Sequence, residues 1–362
     1  MLSATLGQTA FANKGAPMRS KPQSRIAQPG CRGSLTTEHE MEINERWSSE
    51  QDVAQVLRFN QKLAWLPRFR IRNRIKPRAI QALLRISQIG GADRLRKHGL
   101  KAESQVVGLP GASVPVRIIR PTGKPKGVVL DFHGGGWVIG NAQMNDRFNA
   151  AIVSACNVAV VSVDYRLAVS TSIEGVMEDC LQAARWLLEG SEEFAHLPVI
   201  VVGESAGGHL AAATLLSLKR WPALLQRVVG TVLYYGVYDL TGTASVREAP
   251  PETLVLDGPG MVDALRMLTP DLSDQERRQP PLSPLYGDFT GLPPALMFAG
   301  ELDPLRDDTI EIAERWSASA PVEVHLLPYC PHGFIHFPTS TAASVLAYSR
   351  EWMSAQIRES TG

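Results

Sequence analysis

The sequence predicts an α/β fold: a mostly parallel sheet with helices on both faces, and a helical cap above it. Three observations predict it. Short apolar runs rich in Val and Ile recur from residue 114 onward. Helical stretches separate most of them. The runs are apolar at nearly every position, so neither face of the sheet can meet water, which is the habit of parallel sheets.

The whole chain is compatible with this. Its 362 residues are 44% hydrophobic and 20% charged, enough for a large core. A net charge of +1 gives no general pull toward nucleic acid. Cys31, Cys156, Cys180 and Cys330 form no CxxC pair and are too few for a disulfide framework, so reduced thiols are expected. No apolar run reaches the roughly 18 residues of a transmembrane helix, so no membrane insertion is expected. MLSATLGQTAFA lacks the charged and continuously apolar regions of a signal peptide, and a cytoplasmic location is expected.

Residues 1–44, rich in Ser, Thr, Gln, Gly and Pro, read as a disordered tail, with Met18 and Met41 as alternative starts. Residues 45–103 turn helical in QDVAQVLRFNQKLAWL and AIQALLRISQIGGADRLRKHG, and read as the N-terminal part of the cap. Between these lies a run, 58–78, with eight Lys/Arg and no acid. It is either a patch for anionic lipid or nucleic acid, or the solvated side of short helices that bury Phe69, Ile71 and Ile75. The balanced charge of the chain favours the second reading. Residues 104–238 form the first part of the α/β domain, with strands expected at 114–120, 127–132, 158–163, 198–203 and 228–235. Residues 239–293 have no strand pattern but contain MVDALRMLTP and several prolines, and are too long for a loop; they read as an inserted helical cap segment. Residues 294–362 complete the domain with strands at 295–300 and 322–327 and a last helix.

The chemistry concentrates at glycines. GESAG, residues 203–207, lies between an apolar run and a small-residue helix. A serine there sits on a sharp, strained turn with its hydroxyl above the sheet, and the flanking glycines avoid collisions. Ser205 is then a nucleophile, and a free serine needs a base. His39 lies in the tail, His98 in the cap, His196 in a connecting loop, and His325 in a strand. His209 sits on the nucleophile's own helix, pointing away along it. His332, in the loop after the last strand, is the base; His336 follows four residues on, but no HExxH glutamate or third ligand makes a metal site. Among the acids of AGELDPLRDD, Asp303 lies just past the strand end, where a carboxylate can orient an imidazole. Asp307 and Asp308 begin a helix, where acids suit the dipole.

DFHGGGWVIG, residues 131–140, fits neither GxxxxGK[ST] nor GxGxxG, so no phosphate or dinucleotide is expected. It suits an oxyanion hole, with N–H donors from Gly135 and Gly136 joined by that of Ala206. His133 reads as an anchor of the loop. Trp137 either walls the acyl or alcohol pocket or is a core tryptophan.

With HGGGW, DYRLA, GESAGG, DPLRDD and HGF in this order, residues 45–357 resemble the bacterial hormone-sensitive-lipase-like esterases of the α/β-hydrolase superfamily. The resemblance implies an eight-stranded sheet, a cap made of the N-terminal segment and the 239–293 insertion, and a cofactor-free carboxylester hydrolase favouring short to medium acyl chains. It implies Ser205 as nucleophile, Asp303 as acid, His332 as base, and Gly135, Gly136 and Ala206 on the oxyanion. Dimerisation is common in the family. Two positions depart from its pattern: Glu204 stands where Asp is usual, and DYRLAVSTSIEG lacks the usual proline-rich continuation. Asp164 and Arg166 read as structural residues of that turn. Amide, carbamate or lactone hydrolysis would use the same triad. A receptor reading is weaker, since gibberellin receptors of this family lack a working base and this chain has all three residues.

Overall fold

A computed structural model describes Trp47, residues 49–70 and residues 75–361 of the chain. The tail assigned to 1–44 and the side chains of Ile71 and Ile75 lie outside the described residues. Three helices precede the sheet: α1 (Glu50–Leu63), α2 (Ile75–Ser87) and α3 (Gly91–Lys97). The Ser49 side chain caps α1 by accepting from the Asp52 amide at 3.2 Å.

The sheet has eight strands: β1 (Lys101–Val107), β2 (Val114–Arg120), β3 (Val128–Phe132), β4 (Ala159–Val163), β5 (Val199–Glu204), β6 (Val228–Tyr234), β7 (Ala295–Gly300) and β8 (Val322–Leu327). Their order is β1-β2-β4-β3-β5-β6-β7-β8; β2 is antiparallel to β1 and β4, and the other pairs are parallel. The mostly parallel sheet is the one the sequence predicts.

β1 was not predicted as a strand. It begins at Lys101, inside the 45–103 interval assigned to the cap. KAESQVV pairs on one side only and leaves most of its side chains exposed or half-exposed, so it lacks the apolar signature of the central strands.

The remaining helices are α4 (Asp146–Cys156), α5 (Ile173–Arg185), α6 (Ala206–Leu218), α7 (Pro222–Leu225), α8 (Ala244–Arg247), α9 (Met261–Leu268), α10 (Asp274–Arg277), α11 (Arg306–Ser317) and α12 (Ser340–Thr361). The sheet separates two apolar layers. Val128, Leu130, Val161 and Val201 pack with residues of α5, α6 and α11, whereas Val129, Val160, Ile200 and Val202 pack with α4 and α12. Successive strand residues thus alternate between two buried faces, each side chain contributing about 1.5–3 kcal/mol by leaving water. In the parallel strands the C-terminal ends Phe132, Glu204, Tyr234, Gly300 and Leu327 share one edge. The loops that follow them gather there, the usual place for a site in such sheets.

Candidate active site

Ser205 joins β5 to α6 with φ 53° and ψ −120°, a strained conformation for a residue with a side chain. The two flanking glycines are dictated by space. A Cβ on Gly203 would lie 2.3 Å from the Gly207 carbonyl oxygen, and one on Gly207 only 1.9 Å from that of Phe132. No side chain fits either position, so strand and helix approach closely and the serine is pushed above the sheet edge.

Three loops meet at this hydroxyl. His332, after β8, places Nε2 2.9 Å from Ser205 Oγ, and its Nδ1 lies 2.8 Å from Asp303 Oδ2, after β7. A carboxylate only accepts, so Nδ1 carries the proton and Nε2 is left to accept from the serine. Asp303 is itself held, its Oδ1 accepting from the Leu305 amide at 2.9 Å. The other acids of AGELDPLRDD are engaged elsewhere. Glu301 accepts from the Tyr329 amide, Asp307 from the Ser245 amide, and Asp308 from the Tyr238 and Asp239 amides and the Thr243 hydroxyl. Burial pushes the Asp308 carboxyl up to about 7 and the Cys330 thiol up to about 12, so Cys330 offers no thiolate beside the site.

Gly135 and Gly136 border the same cavity as Ser205, and Ala206 opens α6 directly behind it. Gly135 has φ 112°, and its carbonyl accepts from the Val138 and Ile139 amides, which folds the loop into a tight turn. His133 is buried and stacked on Tyr165, whose hydroxyl donates to the His133 carbonyl at 2.6 Å. Burial lowers the His133 pKa, and the ring stands among main chain and Tyr165 as an anchor. Asp164 accepts from the Ala142 amide, and Arg166 grips Asp179, so both hold the turn after β4.

Trp137 lines the cavity and belongs to the core at once. Its indole N–H donates to His209 Nδ1 at 3.2 Å, so His209 Nε2 carries the proton toward the Leu282 carbonyl, 2.8 Å away. Burial drives the His209 pKa down to about 4, keeping the ring neutral. His209 therefore struts the glycine loop, α6 and residue 282 together, a role the sequence reading did not give it.

The sequence reading also missed a second pair beside the nucleophile. His336 Nε2 lies 2.5 Å from Glu204 Oε2, which also accepts from the Tyr235 hydroxyl at 3.0 Å. Burial opposes the Glu204 charge, but His336, Tyr235 and the Gly134 amide outweigh it and hold the carboxyl at about 2. Glu204 in turn raises the His336 pKa. His336 stands in HGFIH four residues after the base, where the sequence gives it no role once a metal site is set aside. The two histidines turn to different carboxylates, and among the described residues no group of three His, Cys, Asp or Glu could hold a metal.

A cavity of about 640 Å³ opens over Ser205. Its walls are mostly apolar, with Phe69, Trp137, Val255, Leu256, Met261 and Leu265 among them, and the Arg70–Asp257 ion pair also borders it. Phe69 pairs with Leu256 in an isolated parallel bridge, joining the segment after α1 to the one before α9.

A family model described as an alpha/beta hydrolase fold matches residues 129–336. Carboxylesterase NlhH of Mycobacterium tuberculosis is 32% identical over 264 residues, 69% of this chain and 81% of that protein. An arylesterase of Saccharolobus solfataricus is 31% identical over 228 residues, 62% of this chain and 72% of its own length. Among solved structures, an esterase of Pyrobaculum calidifontis superposes with a TM-score of 0.69 at 26% identity, covering 84% of this chain and 98% of that one. Esterase LipW of Mycobacterium marinum gives 0.72 at 25% identity, over 84% and 96%. With the sheet order, the strained serine turn and the loops gathered above it, these likenesses lead to one conclusion: the chain belongs to the α/β-hydrolase family.

Proposed function

We propose that the chain is a serine carboxylester hydrolase of the hormone-sensitive-lipase-like kind, acting on short- to medium-chain acyl esters through an acyl-enzyme. The observation that carries this reading is the unbroken hydrogen-bonded line from Asp303 through His332 to Ser205 Oγ, at 2.8 and 2.9 Å, opening into an apolar cavity. Named carboxylesterases and esterases among the relatives support the ester as substrate.

In the first step His332 Nε2 takes the Ser205 proton as Oγ attacks the ester carbonyl carbon. The carbonyl π electrons move to oxygen, and the N–H groups of Gly135, Gly136 and Ala206 stabilise that oxyanion. The C–O bond to the alcohol then breaks, and the alcohol leaves with the proton from His332. Water follows the same route, giving its proton to His332, releasing the carboxylic acid and restoring Ser205. Asp303 holds the imidazole in the right tautomer and offsets the imidazolium charge.

The segment before β1 and residues 239–293 act in this reading as a cap. Phe69 from the first and Val255, Leu256 and Met261 from the second border the cavity, which supports that assignment. Among the described residues, no helix is long and apolar enough to cross a membrane. A cytoplasmic location completes the proposal. The test is a fluorophosphonate probe with the adduct mapped by mass spectrometry. Labelling at Ser205, absent in Ser205→Ala together with a loss of ester hydrolysis of about 10⁴-fold or more, is the expected result. Labelling that persists in the variant overturns the mechanism.

A further inference from the structure

Helix α2 leaves Ile80, Leu83 and Ile86 exposed to water. A surface helix of a globular protein turns its apolar stripe inward and its polar face to water. On its inner side, beside the buried Pro77 and the half-buried Leu84, glutamines carry the polar contacts to the glycine loop. Gln81 bonds both the amide and the carbonyl of Gly140, each at 2.8 Å. Gln88, two turns beyond and just past the helix end, exchanges hydrogen bonds with the Asn141 side chain at 2.8 and 2.9 Å. Four aliphatic side chains point out: Ile80, Leu83, Ile86 and Ile89 are 43%, 68%, 64% and 75% exposed. The segment leading toward α2 adds Trp65, 90% exposed, and Leu66, 57% exposed. Scattered exposed hydrophobics are ordinary, but four on one stretch of 10 residues call for something to cover them.

Charge says what that is. From Val53 to Ala92 the chain has nine Lys/Arg and no Asp or Glu, although the whole chain is nearly neutral. Positive charge is therefore gathered on the stretch that exposes the apolar residues, with Arg58, Lys62 and Arg85 all exposed. A second copy meeting this face through a two-fold axis would bring like charges together. A nucleic acid would satisfy the cations but leave the isoleucines and Leu83 against water. An anionic bilayer answers both features, its headgroups to the cations and its acyl boundary to the aliphatic side chains.

We propose that the outward face of α2 docks the protein on anionic phospholipid surfaces. Docking there is peripheral, through one helix face. It has a use that rests on the esterase reading. Through Gln81 the helix holds Gly140, which ends the glycine loop that borders the cavity, and Phe69 and Arg70 of the preceding segment line that cavity as well. The cavity thus lies within the part of the molecule anchored at the bilayer, where apolar esters concentrate.

The experiment is co-sedimentation of the full chain carrying Ser205→Ala with vesicles, so that binding is read without hydrolysis. Vesicles of phosphatidylglycerol mixed with phosphatidylcholine are compared with phosphatidylcholine alone. Binding to the anionic vesicles only, weakened by salt, is expected. Leu83→Ser, Ile86→Ser and Ile89→Ser combined, and separately Arg58→Glu with Lys62→Glu, are each expected to lower the partition about tenfold or more. Both sets of substitutions, made in the Ser205-containing chain, are expected to leave hydrolysis of a soluble acetate ester unchanged. Absence of binding to anionic vesicles, binding by either variant set equal to that of the Ser205→Ala chain without it, a dimer that the triple serine variant separates, or preference for an RNA oligomer over the vesicles would each overturn the proposal. Failure of the esterase reading would appear only in the hydrolysis assay.

Discussion

Glu204 stands one residue before the nucleophile, and its Oε2 accepts from two different loops, through Tyr235 after β6 and His336 after β8. The pair therefore fixes the loop that carries His332 to the turn that carries Ser205, and it makes a pH-dependent contribution to stability. The His336 pKa is raised above its ordinary 6.5, so its share is complete below that value and is lost as pH rises through the raised one. The Glu204 pKa is depressed from 4.5 to about 2, so its share is complete above 4.5 and is lost as pH falls toward 2. Stabilisation is greatest between the two ordinary values and fades on either side. Thermal midpoints of the wild type and Glu204→Gln should differ most at about pH 5.5, between the two ordinary values, and draw together as pH rises through the raised His336 value. A difference that stays constant over that range would mean that His336 is not the partner that matters. Ser205, Asp303 and His332 were legible as candidates because each sits beside its own strand end in a recognisable run. The Glu204–His336 pair was not, because neither run says that the second histidine turns to the glutamate beside the nucleophile; only the folded sheet edge brings them together.

At the scale of elements, the turn from β5 to α6 has no tolerance for added volume. Gly207→Ala would put a Cβ 1.9 Å from the Phe132 carbonyl oxygen and 2.6 Å from that of His133. Both obstacles are main chain and cannot step aside. The variant should lose at least about 1–3 kcal/mol of stability, with esterase activity falling toward that of Ser205→Ala. Urea unfolding and an ester assay on the same preparation would check both. The strut from the glycine loop to α6 allows a finer test. Trp137→Phe keeps an aromatic ring but removes the donor to His209 Nδ1, leaving that nitrogen unpaired in a fully buried ring. A loss of about 1–3 kcal/mol in urea unfolding is expected, and a variant as stable as the wild type would show that the bond contributes nothing. The central strands were legible because burial on both faces leaves a continuous apolar run. β1 was not, because an exposed edge needs no such pattern.

Over the whole molecule, the cavity is bordered by residues the sequence could not bring together. Residues 239–293 read as a helical insertion from their prolines and MVDALRMLTP, and α8, α9 and α10 fall within them. Nothing local to that stretch says that Leu256 pairs with Phe69, nearly 190 residues earlier, because the bridge depends on how the two segments fold back over the sheet edge. This far wall, absent from the GESAG and HGF runs, is where acyl-chain preference should be decided. Met261 opens α9 and lines the cavity that Ser205 also borders, and its side chain is only half-buried. Replacing it by Trp adds volume to the wall while leaving Ser205, His332 and the glycine loop untouched. In a p-nitrophenyl ester series, Met261→Trp should lower kcat/KM for octanoate and longer chains by about tenfold or more, a cost of about 1.4 kcal/mol. Acetate should be hydrolysed at close to the wild-type rate, because the transition-state contacts at the carbonyl are the same. An equal loss for every chain length would mean that the substitution disturbs the triad, and an unchanged series would remove α9 from the acyl-binding wall.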